Sequence, residues 1–189
     1  MSPPRFDERS FLDWNLLYLF SYDVELDLKA QEKLGAFPEG VRMNCFARRD
    51  LSHAYSVGRD ATVAGSGVRA ISGKIVWGGD ALTLRDDDIA SSDIRVAIQT
   101  DDEATIHMYY NLIGYVGPGG VSRIVDGTGD DSLGSEEEPF EAPHVTSPTF
   151  QCAHPSYDWM NRVQAIGFGR AQLVRSKFRR LTADVYALT

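Results

Sequence analysis

The segment from Ser92 to Asn111 constrains the fold most. Ile94, Val96 and Ile98 alternate with Asp93, Arg95, Ala97 and Gln99. After Asp101-Asp102-Glu103 the pattern returns, with Ile106, Met108 and Tyr110 set against Thr105, His107 and Tyr109. A period of two over this length is a strand signal, and the acidic triplet is a turn, so the spacing predicts a β-hairpin. Leu17 to Leu28 repeats the pattern: Phe20, Tyr22, Val24, Leu26 and Leu28 alternate with Ser21, Asp23, Glu25 and Asp27. Further strands are predicted at Val41–Ala47, Val68–Trp77, Thr149–Cys152, Val163–Phe168 and Leu181–Leu188, with Asn111–Val116 extending the hairpin past a bulge. Turns follow at Gly35 to Gly40, at Gly78-Gly79 and at Gly117-Pro118-Gly119-Gly120. Arg48 to Gly67 reads as a loop or irregular edge.

About nine short strands separated by turn signals argue for an all-β barrel or sandwich, and closure into a barrel removes exposed edges. The best helix candidate is Pro155–Arg162. Pro155 suits a first helical position, and Trp159 and Met160 supply an apolar face. No βαβ spacing and no internal repeat is seen.

The length of 189 residues fits one domain, 1–189, able to bury a core. The net charge of −8 is localised. Asp126, Asp130, Asp131, Glu136, Glu137, Glu138 and Glu141 fall in a stretch without Lys or Arg, and without them −8 becomes −1. Residues 126–143 are therefore read as an acidic mobile surface loop. A near-neutral body offers no stripe for a phosphate backbone, so nucleic-acid binding is not expected. No run reaches the length of a membrane helix, and the polar start Met1 to Glu8 does not read as a secretory signal. A cytoplasmic protein with two reduced thiols, Cys45 and Cys152, is expected.

Several segments carry a family likeness in their order and spacing. They are Gly40-Val41-Arg42; Gly73-Lys74-Ile75-Val76-Trp77-Gly78-Gly79-Asp80; and Asp93-Ile94-Arg95 with Thr100-Asp101-Asp102. They continue with Phe150, Tyr157-Asp158-Trp159-Met160-Asn161-Arg162, Gly167-Phe168-Gly169 and Asp184-Val185-Tyr186. Together they resemble the domain-of-unknown-function family 3237 over most of residues 15–188. The resemblance implies an antiparallel, calycin-like barrel with an internal cavity that binds or transforms small organic molecules. The chain departs from the pattern at Ser52–Gly67, which looks long, and at Asp126–Glu141, which looks inserted. It also departs at Ala81-Leu82, where an aromatic often follows.

Asp80 is the leading candidate for chemistry. Glycines before it permit a sharp turn, and a carboxylate aimed into a barrel is a general acid or base; the bland reading is a turn-forming Asp. Asp93 and Arg95 share one strand face, and His107 and Tyr109 lie on the matching face of the neighbouring strand. If that face lines the lumen, Arg95, His107 and Tyr109 join Asp80 as catalytic groups and Asp93 binds substrate. If it meets water, Ile94, Val96, Ile98, Ile106 and Met108 form the core instead. Arg42 is a candidate anion-stabilising donor, and Trp77, Tyr109, Tyr110, Tyr115 and Trp159 are candidate aromatic walls; ordinary surface or packing roles compete for all of them. His53, His107, His144 and His154 show no metal spacing, Asp86-Asp87-Asp88 lacks an EF-hand pattern, and nucleotide and nucleophile-elbow motifs are absent. No metal or cofactor is expected.

The sequence thus predicts a cofactor-independent isomerase, cyclase or lyase of secondary metabolism. It would act on a small hydrophobic ligand inside the barrel. The alternative is a non-catalytic binding or carrier protein, and homo-oligomer formation is compatible with either.

Overall fold

In the computed structural model, residues 16–56, 69–127 and 131–188 are described. Eleven strands and one short α-helix are formed: β1 (Leu16–Glu25), β2 (Glu32–Phe37), β3 (Gly40–Phe46), β4 (His53–Tyr55), β5 (Ser72–Leu84), β6 (Ile89–Thr100), β7 (Thr105–Tyr115), α1 (Gly120–Asp126), β8 (Phe140–Thr146), β9 (Thr149–Gln151), β10 (Ala165–Val174) and β11 (Lys177–Leu188). The antiparallel ring runs β5-β4-β1-β11-β10-β8-β7-β6 and closes where β6 pairs β5, giving an eight-stranded barrel. Along β5, β4 pairs the first three residues and β3 the stretch Gly79–Leu84, so two short strands share one stave; β2 adds outside β3 and β9 beside β7.

An eight-stranded barrel has an interior just wide enough to be filled by its own side chains or to hold one small ligand. Apolar residues therefore point inward. Phe20, Ile75, Ile98, Ile106, Met108, Leu173 and Val185 are sealed from water. The hairpin register pairs Ile94 with Tyr110, Val96 with Met108 and Ile98 with Ile106, all inward.

Several expectations are revised. The strand expected to end at Trp77 runs on to Leu84, through Gly78-Gly79. Between Ile75 and Trp77 the β5–β6 register slips at a bulge. Ile75 faces in and Trp77 out, and beyond the bulge Gly78 and Asp80 take the inward positions. A regular strand would have put Asp80 outside, since one inserted residue exchanges the two faces.

The Pro155–Arg162 candidate forms a 3-10 helix over Asp158–Arg162, while the α-helix lies at Gly120–Asp126, starting on the last residue of the expected Gly117–Gly120 turn. Within the acidic stretch, residues 140–143 belong to β8. The described part before them is fastened to the barrel: Leu133 is buried and its N–H donates to Ser176 Oγ, Arg123 donates to the Asp131 and Ser132 carbonyls, and Arg179 pairs with Glu136. His53–Tyr55 forms β4 within the presumed loop, while residues 57–68 lie outside those described. Among the described residues, no helix is long and apolar enough to cross a membrane.

Candidate functional site: a polar cluster in the barrel lumen

Most staves contribute one polar group to the interior. Asp80 comes from β5, Ser92 from β6, Tyr110 from β7, His144 and Thr146 from β8, and Tyr22 from β1. All six side chains carry sealed polar atoms that make no well-formed hydrogen bond to another protein group, including Asp80 Oδ1 and both ring nitrogens of His144. Asp80 with Ser92, and Tyr22 with Tyr110 and Thr146, are close enough to share weak hydrogen bonds, but neither ring nitrogen of His144 has a partner among the described residues. A buried polar atom without a partner costs about 1–3 kcal/mol, so His144 is the expensive member of the cluster.

Asp80, Ser92 and His144 line one cavity of about 20 Å³, walled otherwise by residues such as Leu82, Leu112, Phe178 and Leu181. That volume holds about one water molecule. Tyr110 meets Asp80 in a second, adjoining cavity, and its ring packs on that of Tyr22 with centroids 5.9 Å apart and planes at 37°. Their hydroxyls, with Thr146 beside Tyr22, are near enough to influence one another's protonation.

The electrostatics follow from desolvation. Burial lifts Asp80 to about 7; the Asp93 charge adds to this, and the Ser92 hydroxyl opposes it. Burial depresses His144 to about 4. Tyr22 rises to about 12, again chiefly by burial, and Tyr110 is pushed well above the phenol range. The thiol of Cys45, opposite Asp80 on β3, is also raised by burial and then by the Asp80 charge, which makes it an unreactive neutral group.

The sequence makes room for the imidazole. His144 lies between Gly114 on β7 and Gly169 on β10. A Cβ at Gly169 would sit 2.6 Å from His144 Nε2, and one at Gly114 would sit 3.4 Å from His144 Cβ. The next inward residue, Thr146, faces Gly167, where a Cβ would sit 2.2 Å from Thr146 Oγ1. Two polar side chains on β8 are thus each met by a glycine on β10.

Of the residues singled out from sequence, Asp80 alone reaches the cavity that His144 lines, and Tyr110 reaches the adjoining one. Arg95 is opposite Tyr109 in the expected register, but that face of the hairpin points outward. Asp93 and Arg95 form an exposed ion pair at 3.5 Å, and His107 stacks on half-buried Tyr109 with ring centroids 6.4 Å apart. The reason is the narrow lumen, which the aliphatic face of the hairpin fills. Arg42 lies outside on β3, over the Phe37 ring and paired with Glu39 at 3.3 Å. Trp77 and Tyr115 are each 48% exposed. Trp159 packs against the core and donates to the Ser156 carbonyl, away from the cavity.

Sequence reasoning missed His144, Tyr22, Ser92 and Thr146 as site residues, and expected Tyr110 only as an aromatic wall. Tyr22 and Tyr110 were already on the apolar parity of their strands. The signal for His144 was Gly-x-Gly at 167–169 opposite His-x-Thr at 144–146, which is readable only once β8 and β10 are known to pair.

A closed antiparallel eight-stranded barrel with a buried acid–imidazole–phenol cluster is therefore the class to which fold and site assign this protein. The chain belongs to the family described as "Protein of unknown function (DUF3237)", whose model matches residues 22–188. Similar solved structures include a conserved protein of unknown function from Rhodopseudomonas palustris (19% identity, TM-score 0.69, covering 94% of this chain and 99% of that one). A beta-barrel like protein from Acinetobacter baumannii matches at 20% identity and TM-score 0.60, covering 94% and 98% of the two chains. A structure described as an enzyme from Penicillium herquei matches at 15% identity and TM-score 0.55, covering 93% and 95%. At these identities the likeness is one of fold. No curated protein matches the chain.

Proposed function

We propose that the protein is a cofactor-independent acid–base enzyme that moves a proton on the reacting end of a small organic metabolite held in the lumen. Isomerisation, and cyclisation or elimination begun by such a transfer, are the reactions this chemistry reaches. The observation that carries the reading is Asp80: a desolvated carboxyl, poised near neutrality, on the wall of a cavity shared with a neutral imidazole.

Between about pH 4 and pH 7, Asp80 holds its proton and His144 is unprotonated. An acid and a base are then present at once on one cavity. His144 takes a proton from the substrate while Asp80 gives one to the oxygen that gains charge. The return of the proton from His144 to another substrate atom, and of the enol proton to Asp80, completes an isomerisation with no net change in the protein. The phenols of Tyr22 and Tyr110, held neutral, are hydrogen-bond donors for a developing oxyanion. A carrier that encloses a whole ligand is less well supported, because about 20 Å³ accommodates only a small group.

A linear β,γ-unsaturated keto acid, 4-oxohept-6-enoate, whose reacting terminal group is small, provides the test, its conjugation being followed by ultraviolet absorbance. Wild-type protein is expected to accelerate conjugation, with a kcat/KM profile that falls away below about pH 4 and above about pH 7. Asp80→Asn and His144→Gln should each cost about a hundredfold or more. No acceleration by wild type, or an Asp80→Asn rate equal to wild type, rejects the reading.

A further inference from the structure

Leu26 borders both the lumen and the rim of the barrel. Inward, it walls the cavity that holds Asp80 and His144. Outward, it borders a groove of about 500 Å³ on the barrel rim, formed with Glu25, Asp27, Lys29, Arg48, Glu136 and Arg179. Leu26 sits where β1 ends. Its N–H donates to the Arg179 carbonyl, and it bridges Ala47 just beyond β3. The rim groove and the chamber therefore meet at one apolar side chain, itself buried.

We infer that the rim groove binds the body of the substrate and that Leu26 is the gate through which its small reactive end enters the chamber. This rests on the acid–base reading of the lumen and adds a ligand class to it. The chamber accepts one small group, such as a carbonyl or hydroxyl carbon. The groove is lined by six charged side chains of balanced sign. Arg179 is already neutralised by Glu25 at 3.6 Å and Glu136 at 2.6 Å, and Arg48 by Asp50 at 2.9 Å. No described carboxylate forms an ion pair with Lys29, which leaves its ammonium for a hydroxyl or carboxylate of the ligand. The ligand is thus a molecule with a hydroxylated or singly anionic body and a small terminal reacting group. A plain hydrocarbon skeleton in this groove would cover the Lys29 ammonium and leave it unpaired.

The gate is tested without turnover, so its failure is separable from failure of the acid–base reading. The probe is diethyl pyrocarbonate, which carbethoxylates neutral imidazole: the ring nitrogen attacks one carbonyl carbon and ethyl carbonate leaves. Peptide mass spectrometry reads His144, with exposed His107 as the reference for reagent activity. Iodoacetamide labelling of buried Cys152, whose backbone N–H and carbonyl are both bonded to the Asn161 side chain and which does not line the chamber, reports global opening. In wild type, His144 should react at least a hundredfold more slowly than His107. In Leu26→Ala it should speed up at least tenfold while Cys152 stays protected, and adding Lys29→Trp to fill the groove should reverse that gain. Leu26→Val serves the same comparison if the alanine variant does not fold. The inference is overturned if His144 stays protected when Leu26 is shortened, if His144 and Cys152 become reactive together, or if the groove-filling tryptophan has no effect.

Discussion

At the scale of the residue, the lumen is specified by what is left out of it as much as by what is put in. His144 occupies space that any side chain on Gly169 would take, and the crowding there involves backbone: a Cβ at 169 would lie 2.0 Å from the Thr182 carbonyl oxygen and 2.6 Å from Ala183 Cβ. Neither can withdraw without moving β11. Gly169→Ala should therefore cost about 1–3 kcal/mol of stability, the usual range for overpacking a filled core. It should also push the imidazole away from the cavity. Urea denaturation measures the first effect. The second is read by NMR titration of His144, whose pKa should climb from about 4 towards its ordinary value as the ring gains water. A variant with unchanged stability and an unchanged His144 titration would show that the glycine cradle does not position the ring.

At the scale of the element, the strands were legible in the sequence and the faces of some were not. Alternation located β1, β3, β6 and β7 closely, and β11 from Leu181 onward, because each puts one row against a core and the other in water. The same alternation could not say which row was the core. Asp93, Arg95, His107 and Tyr109 share one surface as their spacing implied, but the lumen of an eight-stranded barrel is already filled by Ile94, Val96, Ile98, Ile106 and Met108. Asp80 faces the lumen for a reason that alternation does not carry. Its inward aim comes from the bulge at Val76, not from a strand ending at the glycines. Helix α1 was missed because its support is not local. Asp88, in the β5–β6 turn with φ of 62°, accepts from the Gly119 N–H at 2.8 Å and the Val121 N–H at 3.1 Å, and its carbonyl accepts from Val116. Asp88→Gly keeps the positive-φ turn and deletes both carboxylate acceptors. It should cost about 1–2 kcal/mol, as loss of a helix cap does. Hydrogen exchange should quicken across 116–127 and leave β6 and β7 protected, whereas uniform loss of protection would mean that α1 and the barrel unfold as one unit.

At the scale of the whole molecule, the two buried titrating groups pull stability in opposite directions. Asp80 is raised in the folded state to about 7 from 3.8, so the fold binds its proton more tightly than the unfolded chain does. Its contribution is complete below 3.8 and is lost as pH rises through 7, at about 1.4 kcal/mol per pH unit. His144 is lowered to about 4 from 6.5, so its contribution is complete above 6.5 and is lost as pH falls through 4. Over the shared window from about 4 to 6.5 the two slopes nearly cancel. Asp50, Asp102 and Glu141, all depressed by hydrogen bonds to neighbouring side chains, titrate at lower pH and are common to every variant. Wild type should accordingly show a nearly flat stability between pH 4 and 6.5. Burial, not the Asp80 charge, depresses His144, so Asp80→Asn leaves that titration in place. The variant should then gain about 3 kcal/mol between pH 4 and 6.5, with its stability rising throughout. Above pH 7 it should exceed wild type, because the cost of ionising a buried carboxyl is gone. His144→Gln should do the reverse and lose stability steadily across the same window. Urea titrations at pH 4, 5.5, 7 and 8 separate the three proteins. Parallel curves would mean that the lumen carboxyl and imidazole titrate as they do in water, and the acid–base pair in the barrel would then have no thermodynamic footing.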